Sequence, residues 1–297
     1  MPELVAIFGP TAAGKTGVAV ALAEDLRRRG EEPVAVSCDA IQVYRGLEIV
    51  SGAASADERR RLEHRLVGFL DPSEEFSVGR FAALAHAEID DLLGAGRRPI
   101  VVGGTGLYLR AALADLDLRP AVPAEVRDEV EAEIAARGPD ALHAELPSEL
   151  SAAVHPNDRK RIARWTELRR AGIEPAPSGD RLWTASPRRP SRLFGLVADR
   201  ELLDRRIAAR VEAMAVAGAV EQAREADRRG ISRTARAALG FDEMLAADLE
   251  AVKAVHRRYA RRQLTWMRRM PRVEIVDRGD RGDAEVAAEI AGILAPR

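Results

Sequence analysis

The sequence predicts an α/β fold: a parallel sheet flanked by helices and interrupted by an all-helical insertion. Three observations predict it. Short apolar runs alternate with helical periodicity through the N-terminal third, a glycine turn of P-loop spacing joins the first run to the first helix, and from about Pro120 helix follows helix.

The elements follow in order. Leu4–Phe8 is an apolar run ending in glycine, and Thr16–Arg29 continues with helical periodicity before Gly30, which reads as strand, loop and helix. Val34–Ser37 is a second buried strand, Ser77–Leu93 a helix, and Ile100–Val102 a third strand running into Gly103-Gly104-Thr105-Gly106. Helices then cover Pro123–Gly138, Pro139–Leu146, Pro147–Val154 and Asp158–Ala171, with Asp158 as an N-cap. Gly172–Arg192 carries Pro175, Pro177, Pro187 and Pro190 and reads as an irregular linker. Leu193–Val197 resumes the strands, followed by helices over Asp199–Ala217, Ala219–Arg229 and Asp248–Met270, a last strand at Val273–Val276 and a last helix at Asp283–Leu294. The α/β domain therefore spans 1–119 and 192–297, and the helical insertion 120–191.

At 297 residues and 46% hydrophobic, the chain can bury a sizeable core. No apolar run approaches the ~20 residues of a membrane span, and the N-terminus enters a strand without a signal-peptide pattern, so a cytoplasmic protein is expected. The single cysteine, Cys38, has no disulfide partner and reads as a small buried residue. His64, His143 and His155 lack metal-ligand spacing, and Trp165, Trp183 and Trp266 read as core.

Gly9-Pro10-Thr11-Ala12-Ala13-Gly14-Lys15-Thr16 has the full P-loop spacing between a strand and a helix, so the α/β part is P-loop NTPase-like. Backbone amides, the helix N-terminus and Lys15 can converge on phosphate oxygens, and the Thr16 hydroxyl can ligate Mg²⁺. A P-loop hydrolase also needs an aspartate at a strand end for its Mg²⁺. The third strand ends instead in glycines and a threonine, which argues against a motor or switch ATPase. Asp39 closes the second strand, where ligands of open parallel sheets bind, and a carboxylate there can act as general base. Gln42 and Tyr44, close behind, bring groups able to read an adenine edge.

Net charge is −1, so a nucleic-acid partner would have to be held by local patches. Two are present. Lys253, Arg257 and Arg261 repeat at i+4 with Arg258, Arg262 and Arg269 beside them, leaving Val252, Val255, Tyr259 and Met270 for the core. The second patch is Arg159, Lys160, Arg161 and Arg164 in the insertion.

These residues resemble the tRNA dimethylallyltransferase (tRNA isopentenyltransferase) family. The likeness rests on the Gly-Pro-Thr-Ala-x-Gly-Lys-Thr loop, the Asp39-x-x-Gln42-Val43-Tyr44-Arg45-Gly46-Leu47 block and Gly103-Gly104-Thr105-Gly106-Leu107-Tyr108. It continues through His155-Pro156-Asn157-Asp158 with Arg161-Ile162 and Arg164, Leu239-Gly240-Phe241, and Tyr259-Ala260-Arg261-Arg262-Gln263 with Thr265-Trp266. The resemblance implies a transfer of the dimethylallyl group of dimethylallyl diphosphate to the exocyclic nitrogen of the adenine 3′ to the tRNA anticodon, with Mg²⁺. It implies that Gly9, Thr11, Ala12, Ala13, Gly14, Lys15 and Thr16 hold the donor diphosphate, Thr16 also meeting the metal. Asp39 would act as base and Thr105 would contact the target nucleotide or donor phosphate. Asp39, Ala40, Ile41, Gln42, Thr105, Arg127, Lys160, Arg161, Ile162, Ala163, Arg164 and Arg236 would touch RNA, the insertion binding the anticodon arm, and a monomer is expected. The chain departs from the family pattern at Ala40, where serine is usual, and at Val50–Ser55, which replaces a Gly-Thr-Ala-Lys-Pro segment.

Two other readings suit parts of this pattern. A small-molecule or nucleoside kinase would also join a P-loop to a strand-end aspartate, but would depend on ATP and need no basic patches. An RNA-binding module with a vestigial loop would bind RNA without affinity for diphosphate.

Overall fold

The computed structural model describes residues 2–175 and 181–295. Six parallel strands form one sheet: β1 (Leu4–Phe8), β2 (Pro33–Ser37), β3 (His64–Arg65), β4 (Arg98–Gly103), β5 (Ser191–Val197) and β6 (Val273–Asp277), in the order β3-β2-β4-β1-β5-β6. All residues of β1 are buried, as expected of a strand covered on both faces. From β1 to β2 and from β2 to β4 the chain moves across the sheet in opposite directions. Right-handed crossovers therefore put the helices Lys15–Arg28 and Val78–Gly94 on opposite faces.

Register decides where the site forms. Phe8 pairs with Gly103 and with Gly195, and Ser37 pairs with Val102. The loops that begin at Gly9, Cys38 and Gly104 thus leave the sheet side by side at its carboxyl edge, where parallel sheets bind ligands.

Valines, leucines and alanines of Lys15–Arg28 pack against Val286, Ala287, Ile290 and Ala291 of the helix Asp283–Leu294. Cys38 is fully buried, as the sequence suggests. The third predicted strand is β4; two-residue β3 lies before it and is too short to show alternation. The helix Gly106–Leu113, hidden in a glycine run, begins where a Cβ on Gly106 would lie 2.2 Å from Trp266 Cε3.

The chain divides into two compact units, Met1–Leu116 with Trp183–Arg297, and Asp117–Leu182. The second break thus falls before Trp183, not at 192. Residues 183–190 join the α/β unit because Arg110 Nη2 donates to Ala185 O (2.6 Å) and Arg188 N to Leu113 O (2.8 Å). Of the linker expected over Gly172–Arg192, residues 176–180, with Pro177, lie outside the described residues. The helical unit contains Ala124–Arg137, Pro139–Ala144, Ser148–Ala152 and Arg159–Arg170, packed on Val130, Ile134, Leu142, Ile162, Trp165 and Leu168. Asp158 Oδ1 caps the last of these helices, accepting from Arg161 N at 3.2 Å. No described helix is long and apolar enough to cross a membrane.

Candidate active site

The phosphate loop bends through two left-handed residues, Gly14 at φ 79° and Ala12 at φ 64°. The second has a Cβ, and such strain concentrates at ligand sites. Lys15 opens the helix and folds its ammonium back to donate to Gly9 O (3.0 Å) and Pro10 O (2.8 Å). Burial first and the charge of Arg210 second lower the pKa of this ammonium, with Asp39 opposing, to about 8. Thr16 follows, half-buried, at the second helical position.

The helix Leu249–Arg269 crosses this edge and joins its parts. Gln263, buried, accepts from Thr11 N (2.7 Å) and donates to Gly104 O (2.8 Å). Only glycine fits at 104, since a Cβ there would lie 2.1 Å from Gln263 Nε2. One turn earlier, the phenol of Tyr259 lies 3.1 Å from Thr105 Oγ1. Burial, reinforced by the charge of Asp39, pushes that phenol up to about 12, so it stays protonated. The apolar period of the helix predicts Tyr259 in the core; it is half-buried, with Arg262 over its ring at 5.5 Å, and its hydroxyl meets the site.

Asp39 stands between these groups. Its Oδ1 accepts from Ile41 N (2.9 Å) and Gln42 N (3.4 Å), which fixes the carboxylate at the end of β2. Its charge acts on Lys15, Arg210, Tyr108 and Tyr259. Two neighbours lie close by, and the second differs from expectation. Gln42 accepts from Ser37 Oγ (2.8 Å) and donates to Gly52 O (3.3 Å), which orients its amide and leaves one N–H of it unused. Tyr44 is fully buried and donates to Glu74 O (3.0 Å), which removes it as a base reader.

Sequence reasoning missed Arg210. It lies on the helix Arg200–Val216 and donates to Gly52 O (3.3 Å), and its buried Nε has no acceptor. A Cβ on Gly52 would fall 1.7 Å from Arg210 Nη2, so the Val50–Ser55 segment, atypical in sequence, forms a seat for this guanidinium. Lys15 and Arg210 together bring two partly desolvated cations to this edge, opposed by Asp39. That arrangement suits a polyphosphate.

The residues expected to touch RNA are divided between the two units. Ala40 and Ile41 lie beside Asp39, with Ile41 buried. Arg127, Lys160, Arg161, Ile162, Ala163 and Arg164 belong to the helical unit. Ile162 and Ala163 are buried in its core and cannot contact RNA, because the helix period turns them inward while Lys160 and Arg161 face out. Arg164 donates to Pro120 O (2.5 Å) and pairs with Glu167 (3.2 Å), which braces the entry of the unit. Arg236 pairs with Asp227 (2.5 Å) and Asp242 (3.0 Å). Lys253 leaves the predicted basic face, since it is buried and bridges Glu212 (2.9 Å) and Glu250 (2.8 Å). Arg258, Arg261, Arg262, Arg268 and Arg269 remain exposed, and none pairs with an acid among the described residues. Trp183 and Trp266 are half-buried and tilted together at 4.9 Å, with Arg269 over Trp183 at 4.5 Å, while Trp165 is core as expected. His64, His143 and His155 make local backbone contacts.

The model of the IPP transferase family matches residues 42–270. The chain belongs to the IPP transferase family. The match begins at Gln42, so the loop and Asp39 stand on their own geometry. Among relatives, the tRNA dimethylallyltransferase of Kineococcus radiotolerans is 40% identical over 295 residues, covering 94% of this chain and 92% of its own. That of an Anaeromyxobacter species is 41% identical over 287 residues, covering 92% and 94%. The IPP transferase fold is shared with a solved structure, the full-length tRNA isopentenylpyrophosphate transferase of Bacillus halodurans. It is 34% identical with a TM-score of 0.68, covering 99% of this chain and 97% of that one.

Proposed function

We propose that this IPP transferase transfers a dimethylallyl group from dimethylallyl diphosphate to the exocyclic amino nitrogen of the adenine 3′ to the anticodon in tRNA. The observation that carries the reading is the meeting of Lys15, Arg210 and the loop with Asp39 and Thr105 at one edge of the sheet. As the adenine nitrogen bonds to the allylic carbon, the carbon–oxygen bond breaks and its electron pair leaves with the diphosphate. Loop amides, Lys15 and Arg210 stabilise that developing charge, which lowers the barrier and not merely the substrate's energy. Asp39 takes the proton that the amine must lose, a role that contributes about 10²- to 10⁴-fold. Thr105, held by Tyr259, orients the acceptor. The adenine reaches the site unpaired, since an anticodon loop offers no complementary strand to displace.

Among the described residues no group of three or more His, Cys, Asp or Glu forms a metal site. Thr16, at the second position of the helix that opens on the phosphate loop, offers the hydroxyl that would hold a magnesium ion carried mainly by phosphate oxygens and water. When bound, Mg²⁺ would neutralise charge on the leaving diphosphate. The exposed arginines of Leu249–Arg269 and Lys160 supply phosphate contacts for RNA. We place the enzyme in the cytoplasm, with its tRNA, as a monomer.

Purified protein given dimethylallyl diphosphate, Mg²⁺ and unmodified tRNA should form prenyl-adenosine without ATP. A phosphorylated product formed only with ATP would replace this reading by a kinase.

A further inference from the structure

Among the described residues, five guanidinium nitrogens are buried without a hydrogen-bond acceptor, and four of them lie around the phosphate loop: Arg206 Nη1, Arg210 Nε, and Arg278 Nε and Nη1. Buried charged donors left this way call for a partner, an ordered water or an anion, beyond the polypeptide. Arg210 belongs to the cradle above. Arg206 and Arg278 do not.

Arg206 lies one turn before Arg210 on the same helix, and its Nη2 donates to Gly279 O at 2.6 Å, which seats it beside Arg278. Arg278 follows β6, is 8% exposed, and spends one nitrogen on Asp283 Oδ1 at 2.8 Å. A Cβ on Gly14 would come within 3.3 Å of Arg278 Nε and 3.4 Å of Asp283 Oδ1, so this ion pair stands against the loop where it turns into the helix. Burial and the neighbouring Arg278 both lower the pKa of Arg206, with Asp280 and Asp283 opposing and Arg205 adding to the shift. Asp283 is already bonded and Asp280 is exposed, which leaves two crowded guanidiniums with three unused donors.

We propose that Arg206 and Arg278 form a second oxyanion station beside Gly14, which takes a phosphoryl group next to the one held by Lys15 and Arg210. The inference rests on the reading of the loop as a diphosphate cradle. The phosphoryl group is either the terminal one of the donor's own diphosphate or a separate inorganic phosphate. Both offer charged tetrahedral oxygens that paired guanidiniums bind.

The alternative is that Arg278 only pins the helix Asp283–Leu294 through Asp283, and two variants separate these roles. Calorimetric titration of the full chain with inorganic diphosphate should show Arg278→Met binding about tenfold or more weakly, the scale of a lost charge-assisted hydrogen bond. Arg206→Met should do the same. Asp283→Asn breaks the same ion pair but frees its donors, so it should bind diphosphate as well as the parent or better, with melting temperature measured for each. Titrating inorganic phosphate into diphosphate-saturated protein then identifies the source. A second saturable site lost in Arg278→Met assigns a separate anion, and its absence assigns the donor's terminal phosphoryl group. Unchanged affinity in Arg278→Met, or equal loss in Arg278→Met and Asp283→Asn, overturns the station. These titrations do not involve prenyl transfer, so failure of the transfer assay with the expected titrations would reject the enzymatic reading alone.

Discussion

The hydroxyl of Thr105 and the phenol of Tyr259 lie 3.1 Å apart, although 154 residues separate them along the chain. The phenol also lies 3.5 Å from Gly104 O, so Tyr259 can hold the Thr105 side chain in one rotamer at the mouth of the site. Tyr259→Phe should therefore lower kcat by roughly three- to tenfold, the scale of one hydrogen bond, and leave the donor KM unchanged. Steady-state kinetics check this. In a Thr105→Ala background the Tyr259 change should add almost nothing, because the two residues act through one contact.

Lys15 should give the reaction a pH limit. Its ammonium titrates near 8 in the folded protein against an ordinary value of 10.5, chiefly through burial and then through Arg210. Donor capture by the free enzyme should weaken as pH rises above about 8, seen as a falling limb in kcat/KM for dimethylallyl diphosphate. Arg210→Gln removes the second cause and should move that limb to higher pH. Stability has the opposite sign. Below about 8 the fold carries a buried charge at a cost, and between about 8 and 10.5 the unfolded chain binds more protons, so unfolding free energy should rise with pH relative to Lys15→Met.

Gly52 is fixed by two constraints, φ 59° and the 1.7 Å approach of Arg210 Nη2 to a Cβ placed there. Gly52→Ala should displace the guanidinium, raise the donor KM about tenfold, and cost on the order of 1 kcal/mol of stability from the left-handed backbone. Donor titration and thermal melting measure the two effects separately.

The phosphate loop was legible because its spacing is itself the mechanism: glycines where backbone must approach phosphate, and Lys15 at the helix start. Asp39 was legible because a strand-end position in a parallel sheet is a location as well as a residue type. Arg210 and Gln263 were harder. They enter from helices far along the chain, and in an arginine-rich sequence nothing local marks the one guanidinium that seats against Gly52. Tyr259 follows the apolar period of its helix, so pattern alone placed it in the core and hid its hydroxyl. At 160–164 the matched motif ran through consecutive residues, but a helix exposes only part of such a run. Ile162 and Ala163 therefore turned out to be packing residues.

That difference gives a paired test. Ile162 is fully buried in the helical unit, so Ile162→Ala should destabilise the unit by about 2–5 kcal/mol. Lys160 is exposed, and Lys160→Ala should leave melting unchanged while weakening tRNA binding and reducing its salt dependence. Thermal melts and filter binding at two salt concentrations decide it.

The central claim is that the cradle and Asp39 perform one step together, the first receiving the departing diphosphate and the second the proton of the attacking amine. Single-turnover transfer with saturating donor and tRNA tests it most directly in Asp39→Asn. The rate should fall by about 10²-fold or more while both dissociation constants stay near those of the parent. A near-normal rate would contradict the assignment of Asp39 as the base.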